Sequence, residues 1–152
     1  MKSSIIKYGI YSLLTASVLF LAGLVFGKDL SYSTQAIFGY ASMVVSLVFV
    51  FFGIKHYRDQ VNEGVISFRK AFIIGVCITL FAAIGFGIVD YIYTTVINPE
   101  FMTQYIEAMK ASGATEEIPE YGSVFLAVVM FMTVLVIGII MTILSSLILS
   151  RK

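Results

Sequence analysis

Asp90 is the residue best placed for chemistry, an acid inside the apolar stretch that runs from Ile84 to Tyr93. A charge at the centre of a bilayer costs about 2.5–3.5 kcal/mol on insertion scales, and less toward the interface. Such a cost asks for a partner. Lys28 stands at a matching depth at the end of the first apolar run and is the expected ion-pair partner; Tyr91 and Tyr93 are nearby donors. Two roles follow for Asp90. One is cation or proton binding in a minimal transporter or channel. The other is a structural acid paired with Lys28 or water, and this is the expected one. Transporters usually set the coupling group near the midplane beside broken helices, whereas the two prolines, Pro99 and Pro119, both lie outside the apolar runs.

A second group sits in the polar stretch Lys55, His56, Tyr57, Arg58, Asp59, Gln60, Val61, Asn62, Glu63, Gly64. Asn62 and Gly64 tolerate positive φ and mark a turn. Lys55, Arg58 and Asp59 carry charge beside it. The stretch reads first as a membrane-surface elbow held by its basic residues, with Ile66 and Phe68 dipping into the interface. The sharper reading makes Lys55, Arg58, Asp59, Asn62 and Gly64 a docking surface for a partner or a lipid headgroup. Elsewhere catalytic chemistry finds no foothold. His56 is alone, and Cys77 lies between Val76 and Ile78, where a thiol is inert. No nucleophile elbow, phosphate loop or zinc-protease motif occurs. The expectation is a protein that is not an enzyme, holds no cofactor or metal and binds no nucleic acid.

The elements that position these groups follow from composition. The chain of 152 residues is 59% hydrophobic and 12% charged, where a soluble domain carries roughly 25% charge. Its mean hydropathy is +0.98. So short a soluble chain cannot hide that much apolar surface. Four runs reach the about 20 apolar residues a transmembrane helix needs: about 5–26, 36–54, 70–97 and 123–149. They do not alternate as barrel strands do, so helices are the consistent form. The first run, with a poor cleavage site at Leu24 to Gly27, reads as a retained span rather than a signal peptide. Asp90 then falls about seven residues past the middle of the third span, roughly 10 Å from the midplane.

Charge sets the orientation. Eight of the ten basic residues fall on one side: Lys2, Lys7, Lys55, Arg58, Arg69, Lys70, Arg151 and Lys152. Asp29, Glu100, Glu107, Glu116, Glu117 and Glu120 fall on the other. Both ends of the chain are therefore expected in the cytoplasm, with residues 55–69 as a cytoplasmic elbow and 98–122 as an outer segment. Within that segment Asn98 and Pro99 open a short helix, Phe101, Met102, Tyr105, Ile106 and Met109 share one face, and Gly113 ends it. It reads as an amphipathic surface helix. The third span carries small residues every four positions (Ala71, Gly75, Thr79, Ala83, Gly87), a ridge for close packing. Gly23 and Gly27 form a shorter small-residue motif.

At the elbow the chain resembles a known family. Phe52-Gly53-Ile54-Lys55-His56-Tyr57-Arg58-Asp59, then Asn62, Gly64, Ile66-Ser67-Phe68 and Lys70-Ala71-Phe72, are similar to the family called domain of unknown function 4199, small bacterial membrane proteins. The likeness extends over the full chain, including Met109 to Ala114 in the outer segment. It implies four spans and transfers no activity. The sequence thus predicts an all-α integral membrane four-helix bundle in a bacterial inner membrane. Its expected role is non-enzymatic: structural or accessory, packing with lipid, with itself or with another membrane protein. The alternatives are a transporter or channel using Asp90 and a non-catalytic subunit of a membrane enzyme.

Overall fold

A computed structural model gives the fold, and it describes residues 1–150. Arg151 and Lys152 lie outside the described residues. Four helices are long and apolar enough to cross a membrane: α1 (Lys2–Phe26), α2 (Tyr32–His56), α3 (Phe68–Ile92) and, after a short helix α4 (Phe101–Ala111), α5 (Ser123–Leu149). No strand occurs among the described residues. The chain is a multi-pass helical membrane protein, as its composition predicts.

α3 touches the other three long helices and carries more buried positions than any of them, while α1 and α5 occupy opposite corners. In lipid the hydrophobic effect adds little between helices, so close packing of small residues must hold them. The expected ridge on α3 does this against α5. A side chain at Gly75 would meet Thr142, one at Gly138 would meet Thr79, and Gly87 lies against Ala127 and Phe131. The two helices are therefore antiparallel. The Thr79 and Thr142 hydroxyls face each other at 3.4 Å. Against α1, Gly85 approaches the Leu13 carbonyl and the Ser17 hydroxyl, and Phe81 lies on Gly9. Phe20 and Phe86 pack at 4.8 Å between ring centroids. Between α1 and α2, the buried Ser12 hydroxyl donates to the Ser46 carbonyl at 2.7 Å.

Several boundaries differ from expectation. α2 begins at Tyr32, four residues before the apolar run, because Ser31 accepts a hydrogen bond from the Thr34 amide and caps the helix. Ser33, Thr34 and Gln35 are polar but helical, which apolar content alone does not reveal. Both α2 and α3 finish in a wide turn: the Asn62 amide reaches the Tyr57 carbonyl at 3.0 Å and the Asn98 amide reaches the Tyr93 carbonyl at 2.7 Å. Such turns close over five residues instead of four. This last bond is why α4 starts at Phe101 with Glu100 as N-cap rather than at Asn98 and Pro99. Gly23 meets only Phe38, at 3.9 Å, and Gly27 has already left the helix as its C-cap, so that motif makes no close crossing.

The chain turns at the expected elbow, but Asn62 keeps a negative φ of −126° and the positive φ falls on Glu63 beside Gly64. Glu63 and Gly64 take positive φ (54° and 83°). The Asn62 side chain donates to the Val65 carbonyl at 2.6 Å. Ser67 caps α3. Ile66, expected at the lipid interface, is instead in the core at 1% exposure. The turn folds it back under the bundle, while Phe68 stays exposed and stacks with Phe72.

Candidate functional site: a cleft around Asp90

The outermost turn of α3 positions Asp90. Its face follows Ala83 and Phe86, so its side chain enters the bundle, and the residue is only 8% exposed. The end of the helix is tied down around it. The Thr94 hydroxyl donates to the Asp90 backbone carbonyl at 2.8 Å, and the Ser123 hydroxyl of α5 donates to the Thr94 carbonyl at 3.2 Å. These bonds occupy backbone groups. The carboxylate itself is not matched: its Oδ2 is buried with no hydrogen-bond partner among the described residues.

The expected pair with Lys28 is not formed. Among the described residues the salt bridge is Arg58–Asp59, at 2.6 Å. Register gives the reason. α1 and α3 run in the same direction with Phe20 beside Phe86, so Asp90 is level with Leu24. Lys28 lies four residues farther along, about 6 Å beyond, and its exposed ammonium belongs to the polar rim. The expected tyrosine donors do not reach Asp90 either. Tyr91 faces outward, and the Tyr93 hydroxyl accepts from the Asn98 side chain at 3.5 Å.

Asp90 instead faces a cleft of about 330 Å³. α2 supplies one wall through Tyr32, Gln35, Ala36, Gly39, Tyr40 and Met43, residues three and four apart on one helix face. α5 supplies the other through Leu126, Val129, Met130 and Thr133, with Phe20 and Leu24 of α1 behind. α4 closes the end with Phe101 and Tyr105, whose rings meet Tyr32 edge-on at 6.3 and 5.4 Å. Among the lining residues Asp90 alone is charged. A second, polar cavity of about 450 Å³ lies beyond, lined by Lys28, Asp29, Asn98 and Gln104. Leu24, Tyr32, Gln35 and Phe101 line both and form the partition.

The α2 wall is what sequence reading misses. Tyr32 and Gln35 fall before the apolar run and look like loop, and Gly39 and Tyr40 look like ordinary membrane residues. The signal was there in Tyr32 and Gln35, polar residues on one face of a helix that continues through Gly39. The elbow residues are far from the cleft. Lys55 is exposed at the end of α2, Arg58 is engaged by Asp59, and Asn62 and Gly64 build the turn. His56, the lone histidine of the elbow, is joined to α1 through Nδ1 and the Ser4 hydroxyl at 3.2 Å and lies against Tyr8. Cys77 is half-buried.

The chain matches the family described as a protein of unknown function, DUF4199, over residues 7–151. That is nearly its whole length. The chain belongs to the DUF4199 family. The likeness at the elbow therefore extends across all four long helices, and the DUF4199 match includes both walls of the cleft. No curated protein and no solved structure matches the chain.

Proposed function

We propose that this DUF4199 protein is a non-enzymatic, membrane-embedded binding protein of the bacterial cytoplasmic membrane, with the Asp90 cleft as its ligand site. One observation carries the reading: a carboxylate oxygen buried without a partner in a cleft that has room for an occupant. A purely structural acid at that depth would be paired, because an unsatisfied buried polar group costs about 1–3 kcal/mol and a charged one more. The volume lies within the roughly 300–1,000 Å³ usual for ligand sites.

The charge distribution supports cytoplasmic ends, which sets the cleft in the outer half of the bilayer and α4 on the outer face. The half-buried residues of α4, including Phe101, Met102, Tyr105, Ile106 and Met109, support a helix lying down on the bundle. The first span is retained in this reading, because Ser4, Gly9, Ser12, Ala16 and Phe20 are all buried by its neighbours. Binding is favoured over transport. Toward the cytoplasmic half the bundle is filled by Leu47, Val50, Ile54, Ile74 and Ile78, all at 0% exposure, and the cleft opens on the other half alone.

The test is native mass spectrometry of the protein extracted in mild detergent. Wild type should carry a bound small molecule that Gly39→Leu, which fills the cleft, has lost. Equal bound mass in both would count against the site.

A further inference from the structure

The chemistry of the cleft specifies its occupant more narrowly. Its one formal charge is negative, and that charge is more than nine-tenths buried with an oxygen unpartnered. No Lys, Arg or His lines the cleft, since Lys28 belongs to the cavity beyond the partition. Five aromatic rings share the lining with the acid: Phe20, Tyr32, Tyr40, Phe101 and Tyr105. Aromatic faces attract cations by roughly 0.5–2 kcal/mol each, and grouped rings are the usual receptor for quaternary ammonium. The remaining wall is mostly aliphatic and thioether (Met43, Leu126, Val129, Met130), with Gln35 and Thr133 as its uncharged polar members, and continues to exposed lipid-facing positions such as Val129. A hydrophilic metal ion would find one carboxylate there and no second acid or imidazole to complete its shell. An anionic headgroup would meet Asp90 with nothing to neutralise it.

We infer that the cleft binds a monocationic amphiphile, an organic ammonium whose charged head lies between Asp90 and the aromatic rings and whose apolar body lies along Met43, Val129 and Met130. This rests on the reading of the cleft as a ligand site. Such a molecule reaches the cleft sideways from the outer leaflet, so the polar cavity beyond the partition need not admit it. The two sources of the chemistry are an amino-headed lipid of the host membrane and a lipophilic ammonium compound from outside. A lipid would co-purify with the protein; an external compound would bind to protein extracted empty.

The experiment uses full-length protein in maltoside micelles, which are neutral and carry no ammonium. The probe is a dansyl-labelled alkyl trimethylammonium. Its control is the isosteric neutral tert-butyl analogue. Fluorescence titration against a micelle blank gives saturable binding for each. Wild type should bind the cation at least tenfold more tightly than the neutral analogue. Asp90→Asn should cut that preference at least fivefold, the aromatic rings keeping the remainder, and Asp90→Glu should restore most of it. Gly39→Leu should weaken both probes. Equal affinity for both probes in wild type, with Gly39→Leu still blocking them, would overturn the cationic ligand and leave the site standing. No saturable binding of either probe, to protein stripped of co-purifying lipid, would overturn the site as well. Should Asp90→Asn fail to fold, the cation preference of wild type and the weakened binding of both probes in Gly39→Leu decide the matter alone.

Discussion

Gly39 offers a perturbation whose two effects point in opposite directions. It lies inside α2, lines the cleft, and a Cβ built on it meets no atom within 4 Å. Replacing an interior helical Gly with Leu gains about 0.5–1 kcal/mol from reduced backbone freedom and better propensity. With no clash to offset it, the apparent unfolding temperature should rise by about 1–4 °C for a chain of this size. The same four carbons project into the 330 Å³ cleft and should weaken occupancy at least tenfold, about 1.4 kcal/mol. Thermal unfolding followed by intrinsic tyrosine fluorescence, run beside the titration, reads both. A protein more stable and less able to bind is the expected result. A drop of several degrees would mean that the space around Gly39 is packed, and the cleft as described would be wrong. Unchanged binding in a stabilised variant would move the ligand elsewhere.

The contact of α3 with α5 should tolerate no added bulk. Gly138→Ala drives a methyl into Thr79 and should cost about 1–3 kcal/mol; adding Thr79→Ala should recover more than half of the loss in a thermal unfolding series, since the two sites are coupled. Ser12→Ala removes the bond to the Ser46 carbonyl. It should cost about 0.6 kcal/mol, the average for a hydrogen bond between membrane helices, and a loss above 2 kcal/mol would show that the bond does more than join α1 to α2. Topology is read with Cys77→Ala as background: a cysteine replacing Lys28 should react with an impermeant maleimide in intact cells and one replacing Lys55 only after lysis. The reverse pattern would invert the protein.

Much of the architecture was legible because lipid imposes a coarse rule, that a long apolar run must be a helix. Three span limits, the Ser67 cap, the turn at Asn62 and Gly64 and the small-residue ridge of α3 all follow from local chemistry. The partner of that ridge did not, because Gly138 and Thr142 of α5 are ordinary residues in an apolar run until α3 lies against them. Asp90 was visible as an anomaly from hydropathy alone. Its surroundings were not, since Tyr32 and Gln35 come from a helical turn that polarity disguises as loop and Gly39 is an ordinary residue of an apolar run. Pairing with Lys28 followed from counting residues along two separate spans. The packing of Phe20 on Phe86 sets the true register and separates the two groups by a helical turn.

If Asp90 makes the open cleft attractive to cations, a thiol on the cleft wall will sense it. In the Cys77→Ala background, Thr133→Cys sets a thiol on the α5 wall of the cleft. It is reacted in turn with a trimethylammonium thiosulfonate and its sulfonate counterpart, and Ser112→Cys, exposed at the end of α4 outside the spans, corrects for reagent reactivity. The cationic reagent should be favoured at least tenfold at Thr133→Cys, and Asp90→Asn should remove most of the preference. Equal corrected rates for the two reagents with Asp90 intact, or a thiol there that neither reagent reaches, would contradict it.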